Sequence, residues 1–116
     1  MRHKKTKRTL GRKSGPRKAL IKNLLNSLIL YEKIKTTETK AKEIKPLMER
    51  MVTRAKKDTL HNRREIMKTI PTKNAVKKLF EVIGPKYKEK KGGYLRIVKL
   101  GERKGDAAKM CIIEFV

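Results

Sequence analysis

Positive charge runs through the whole of this 116-residue chain, and that limits its folding more than any other feature: 34 Lys and Arg stand against 11 Asp and Glu, a formal charge of +23. An isolated domain with such an excess repels itself at neutral pH, and a polyanionic partner relieves the repulsion. Nucleic acid suits the role because each neutralised phosphate releases condensed counterions. An anionic membrane surface would call instead for one helix with basic residues on one side and bulky apolar residues on the other. Here the cations occupy every segment, so no membrane partner is expected. Hydrophobic residues make up 37%, enough for the single core that a chain of this length supports.

Cys111 is the only cysteine, which leaves no internal disulfide and no Cys-rich metal site, and suits a reducing compartment. The basic start MRHKKTKR is not followed directly by an apolar run. The first such stretch, Ala19 to Tyr31, is broken by Lys22, Asn23, Asn26 and Ser27. The chain is therefore expected to be neither secreted nor membrane-spanning.

Residues 1–15 contain Arg2, Lys4, Lys5, Lys7, Arg8, Arg12 and Lys13, no acid, and Leu10 as the only large apolar residue after Met1. Such a segment has too little apolar area to offset its ordering entropy and reads as a basic extended arm that orders against a partner. A solvated tail is the plainer alternative. Residues 16–116 read as one folded domain.

Within that domain, Ser14, Gly15 and Pro16 mark a helix start. Leu20, Ile21, Leu24, Leu25 and Leu28 recur at helical spacing to about Glu32. Lys33 to Thr37, with β-branched Ile34, Thr36 and Thr37, reads as a short strand. Thr36 or Thr37 can cap a second helix, with Glu38 at its positive end. Ala41, Ile44, Met48, Met51 and Ala55 form its apolar face, and it reaches about Lys57 with Pro46 predicted to kink it. A third helix opens at Asp58 or Thr59 and is ended by Pro71. A fourth, capped by Thr72, carries Val76, Leu79, Phe80 and Ile83, and Gly84 followed by Pro85 reads as its stop signal. Gly92 and Gly93 lead into a hairpin of Tyr94–Leu100 and Lys109–Val116, joined by a loop from Gly101 to Ala108 long enough to reach away from the sheet. In the last strand Cys111, Ile113 and Phe115 alternate with Met110, Ile112 and Glu114, so the first set should face the helices. The expected fold is α+β: a two-layer α/β domain of four helices on a small three-stranded mixed sheet, preceded by the basic arm.

Catalytic chemistry finds little to work with. His3 and His61 are far apart, and one cysteine cannot complete a zinc site with them. The acids are scattered singly, most of them three or four residues from a cation, as Glu49 is from Lys45, which suits surface pairing better than general acid–base work. No GxxxxGK[ST] or GxGxxG pattern is present. No cofactor, metal, small-molecule substrate or enzymatic activity is expected. With aromatic residues at 4%, base stacking is poorly supplied, and Lys and Arg contacts to the phosphates of a folded RNA are the better match.

Several short motifs follow one another in order: MRH at Met1–His3, IKTT at Ile34–Thr37, AKE at Ala41–Glu43, NRR at Asn62–Arg64, KLF at Lys78–Phe80 and GPKY at Gly84–Tyr87. GGYLRIVKLGERKGDAA from Gly92 to Ala108 and IEF at Ile113–Phe115 complete the series. Each is weak alone, but in this order and spacing the chain resembles, end to end, the bacterial large-subunit ribosomal protein L-seventeen family. The resemblance implies a small sheet packed by helices and a structural role in the large (50S) subunit, in the cytoplasm. It implies contacts with 23S ribosomal RNA near the peptide exit side and with neighbouring large-subunit ribosomal proteins. It also implies RNA-facing positions at Arg2, His3, Lys4 and Lys5 of the arm, Arg63 and Arg64 of NRR, and Arg96, Arg103 and Lys104 of the hairpin. The remaining arm cations Lys7, Arg8, Arg12 and Lys13 join them on charge alone. Other uses stay open: Arg63 and Arg64 can solvate a helix start, and Arg96 can pair with Glu114 across the hairpin. Some members continue into an acidic or alanine-rich tail, and no tail-borne role is expected here. A general DNA-compacting protein would share the charge, and an RNA-processing enzyme would need an acidic cluster or metal site that the sequence does not offer.

Overall fold

The computed structural model describes residues 14–116; the arm positions before Ser14 lie outside the described residues. Helix α1 spans Ser14–Tyr31, strand β1 Lys33–Thr37, helix α2 Glu38–Ala55 and helix α3 Leu60–Met67. Helix α4 begins at Lys73 and runs as an α-helix to Lys78. It passes directly into a π-helical turn, Leu79–Ile83, and a last α turn, Gly84–Lys86. Strands β2, Leu95–Glu102, and β3, Lys109–Phe115, close the chain. The α+β architecture and the position of β1 agree with the sequence reading.

Side-chain hydroxyls set the helix starts. Thr37, Thr59 and Thr72 are N-caps in extended backbone, accepting from the amides of Lys40, Asn62 and Ala75. Each satisfies one donor that a helix end leaves orphaned. Helix α2 runs through Pro46 as one element, and Pro46 is exposed, so the carbonyl that its missing N–H frees is on the solvent side.

The sheet has the order β1-β3-β2 and is antiparallel throughout, not mixed as expected. The Phe115 amide donates to the Glu32 carbonyl at 3.1 Å, which lays the end of β3 beside the start of β1 and sets the two strands in opposite directions. In register, Ile34 faces Ile113 and Thr36 faces Cys111 on one side, and Leu95 faces Phe115 and Ile97 faces Ile113 on the other. Cys111, Ile113 and Phe115 are buried as their alternation predicts. Helix α2 packs across all three strands with Ile44, Met48 and Val52 fully buried. Each such aliphatic side chain contributes about 1.5–3 kcal/mol when removed from water. Leu25, Leu28 and Ile29 of α1 complete the core, while Leu20, Ile21 and Leu24 are half-buried. Lys78 fastens the end of α1, donating to the Leu30 carbonyl at 2.9 Å and pairing with Glu32 at 3.1 Å.

Two boundary expectations are corrected. Gly84–Pro85 does not stop the helix. The Gly84 amide donates to the Leu79 carbonyl five residues back, and this widened turn relieves the contact that the Pro85 ring would make with the preceding carbonyl of a regular α-helix. The Gly101–Ala108 loop is also shorter than expected. Glu102 pairs with Lys109 in the ladder, and the remaining residues close on themselves, with the Arg103 amide on the Ala108 carbonyl at 2.8 Å and the Ala107 amide on the Arg103 carbonyl at 2.9 Å. Leu100 is bulged out of register, and Gly101 takes the positive φ of 98° beside it, a conformation that glycine adopts without a Cβ clash.

Candidate nucleic-acid interface

Of the positions that the sequence assigns to RNA, Arg2, His3, Lys4, Lys5, Lys7, Arg8, Arg12 and Lys13 lie outside the described residues. The other five belong to two regions. Arg63 and Arg64 are on α3, which packs against α2 and α4. Arg96 is on the outer face of the sheet, opposite the helices, and Arg103 and Lys104 are at the hairpin tip.

Three of the five already have a protein counter-charge. The Arg63 guanidinium grips the Asp58 carboxylate with two bonds, at 2.6 and 2.8 Å, and lies over the Phe80 ring at 5.1 Å from its centroid. The hydrogen bond from Arg63 holds the Asp58 carboxyl below its ordinary range. Arg96 reaches Glu114 across the hairpin at 2.8 Å, the alternative open to it from sequence. Arg103 makes a fork to Asp106 at 3.0 and 2.7 Å. That fork, with the Ala108 amide, lowers the Asp106 carboxyl to about 2. Arg64 and Lys104 are exposed and make no ion pair among the described residues.

Sequence reasoning missed a basic cleft of about 700 Å³ between the second half of α2, the start of α3 and the loop before β2. Arg50, Thr53 and Arg54 line it from α2, Lys57 from the turn after it, His61 and Asn62 from α3, and Lys91, Gly92 and Tyr94 from the far side; among the described residues Glu49 is its only acid. Arg50 and Arg54 stand at i and i+4, so they share one side of α2, turned away from buried Met48, Met51, Val52 and Ala55, and Lys57 follows in the turn just past the helix end. That spacing is the signal by which the sequence could have shown them.

The cleft walls are tied together. The Asn62 amide donates to the carbonyls of Lys57 at 2.8 Å and Arg54 at 3.3 Å, bridging the end of α2 to the start of α3. The Tyr94 hydroxyl is 3.1 Å from Thr53 Oγ1 and 3.2 Å from the Lys90 carbonyl, and Lys56 Nζ lies over the Tyr94 ring. Arg50, Lys57 and Lys91 make no ion pair among the described residues. Arg54 donates to Asn62 Oδ1 at 3.5 Å, and Glu65, which senses Arg54, is itself paired with Lys68 at 3.1 Å.

Elsewhere, Cys111 is buried, and burial, reinforced by Glu38, pushes its thiol pKa up, away from thiolate reactivity. Among the described residues, no three His, Cys, Asp or Glu side chains are grouped to hold a metal, and no helix is long and apolar enough to cross a membrane.

A family model described as Ribosomal protein L17 matches residues 20–116. Similar proteins include the "Large ribosomal subunit protein bL17" of Pelobacter propionicus, 51% identical over 116 residues that cover 100% of this chain and 91% of the relative. The protein of the same name from Thermomicrobium roseum is 49% identical, covering 100% and 99%. That from Borrelia hermsii is 53% identical over 107 residues, covering 92% and 87%. The chain belongs to the ribosomal protein L17 family.

Proposed function

We propose that this chain is a structural, non-catalytic constituent of the large (50S) ribosomal subunit in the cytoplasm, and that it binds and stabilises folded 23S ribosomal RNA during assembly and translation. The names of its relatives support the first part. One observation carries the second: the +23 charge has too few acids to answer it, and cations such as Arg64 and Lys104 stay exposed and make no ion pair among the described residues. Residues 1–15 act as an RNA-contacting arm through Arg2, His3, Lys4, Lys5, Lys7, Arg8, Arg12 and Lys13, and residues 16–116 form the domain that rests on the folded RNA beside neighbouring ribosomal proteins. Arg63, Arg96 and Arg103 can share their charge with a phosphate only in competition with Asp58, Glu114 and Asp106, so their share of the affinity is smaller.

Binding of the purified chain to 23S ribosomal RNA and to duplex DNA of equal nucleotide content, at moderate ionic strength, tests the reading. Preference for the RNA supports it. Equal affinity for both would favour a general DNA-compacting protein, and indifference to the RNA would reject the RNA-binding role.

A further inference from the structure

We infer that the cleft between α2, α3 and the loop before β2 seats an RNA sugar–phosphate backbone, with Arg50, Arg54 and Lys57 as the folded domain's main phosphate contacts. The inference rests on the RNA-binding reading and adds the surface through which the domain performs it.

Three features support the assignment. Arg50 and Arg54 stand one turn apart on α2 and Lys57 lines the same cleft from the turn that follows, so the three can meet neighbouring phosphates of one strand. Lys91 approaches from the opposite wall, and among the described residues Glu49 is the only acid lining the space, so the potential inside is positive. The walls are also fixed before any ligand arrives, by the Asn62 bonds to Lys57 and Arg54 and by the contacts of Tyr94 with Thr53 and Lys90. A prearranged set of cations loses less conformational freedom on binding than the same side chains on a mobile loop. Arginine adds a planar fork that matches phosphate oxygens. The hairpin and α3 arginines offer less, because Arg63, Arg96 and Arg103 are held by carboxylates at 2.6–2.8 Å.

The test uses the full chain and the salt dependence of its affinity for 23S ribosomal RNA. The variant Arg50→Ala/Arg54→Ala/Lys57→Ala should make the log–log salt slope shallower by up to about 2.7 units, taking the duplex figure of about 0.9 per lost phosphate contact as a guide. Lysine at positions 50 and 54, with Lys57 kept, should restore most of the slope. Arg63→Gln/Arg96→Gln/Arg103→Gln removes the same formal charge and should change the slope by less than about 1 unit. Glu49→Gln should tighten binding severalfold, since it removes the one repelling carboxylate. Circular dichroism establishes that each variant is folded. An unchanged slope in the cleft variant, or an equal loss in both triple variants, would overturn the inference while wild-type binding leaves the RNA-binding role intact. No binding by the wild-type chain would overturn both.

Discussion

Gly84 and Ala55 approach so closely that a β-carbon added to Gly84 would stand 2.6 Å from the Ala55 carbonyl oxygen and 3.1 Å from its carbonyl carbon. The contact is with backbone at the end of α2, which cannot swing aside as a side chain would. Gly84→Ala should therefore destabilise the fold by about 1–3 kcal/mol, the usual cost of overpacking. Urea unfolding measures it, and an unchanged midpoint would mean that α2 and the last turn of α4 are free to separate.

The two faces of the sheet should respond differently to mutation. Ile113 is fully buried against the helices, and Ile113→Ala should cost about 2–5 kcal/mol. Val98 is 41% exposed on the outer face, and Val98→Thr should stay within about 0.5 kcal/mol of wild type. Similar losses for the two would contradict the layer assignment.

The Arg103–Asp106 fork has a signature in acid. Asp106 titrates near 2 in the fold against an ordinary 3.8. A carboxylate depressed by folding stabilises the loop above its ordinary pKa, and that stabilisation disappears as pH falls from about 4 through 2. In Arg103→Ala, NMR titration of the Asp106 carboxyl should return towards 3.8. If its midpoint stays near 2, Arg103 is not the cause.

Arg63 and Arg64 are neighbours with different duties. Arg63→Ala should lower the melting temperature, because it frees Asp58 and uncovers Phe80. Arg64→Ala should leave it unchanged and act only on RNA affinity. A reversed order in a thermal melt would count against this division.

Much of the architecture is legible in residue spacing. The alternation of Cys111, Ile113 and Phe115, the β-branched run at Ile34–Thr37 and the threonine caps all report local chemistry, and local chemistry decided those elements. The misreadings arise where distant contacts decide. Gly84 followed by Pro85 is a stop signal by local rules, but here the glycine is needed for the approach to Ala55, and the π turn lets the helix continue past Pro85. The hairpin loop looks long because nothing near Gly101 announces that Glu102 will pair with Lys109. The cleft follows the same rule. The periodicity of Arg50, Arg54 and Lys57 is visible along the chain, whereas their confrontation with Lys91 exists only after α2 and the loop before β2 have packed together. Ion pairing also redistributes the charge that a sequence counts equally, since Asp58 and Asp106 engage arginines that composition would assign to RNA.

The most direct test of the central claim, that this chain works as a bound part of the large ribosomal subunit, is sedimentation of a lysate at physiological salt with immunodetection of the chain across the gradient. The account predicts that it comigrates with 50S particles and is released only at high salt. A chain found mostly free, or travelling with chromosomal DNA, would contradict it.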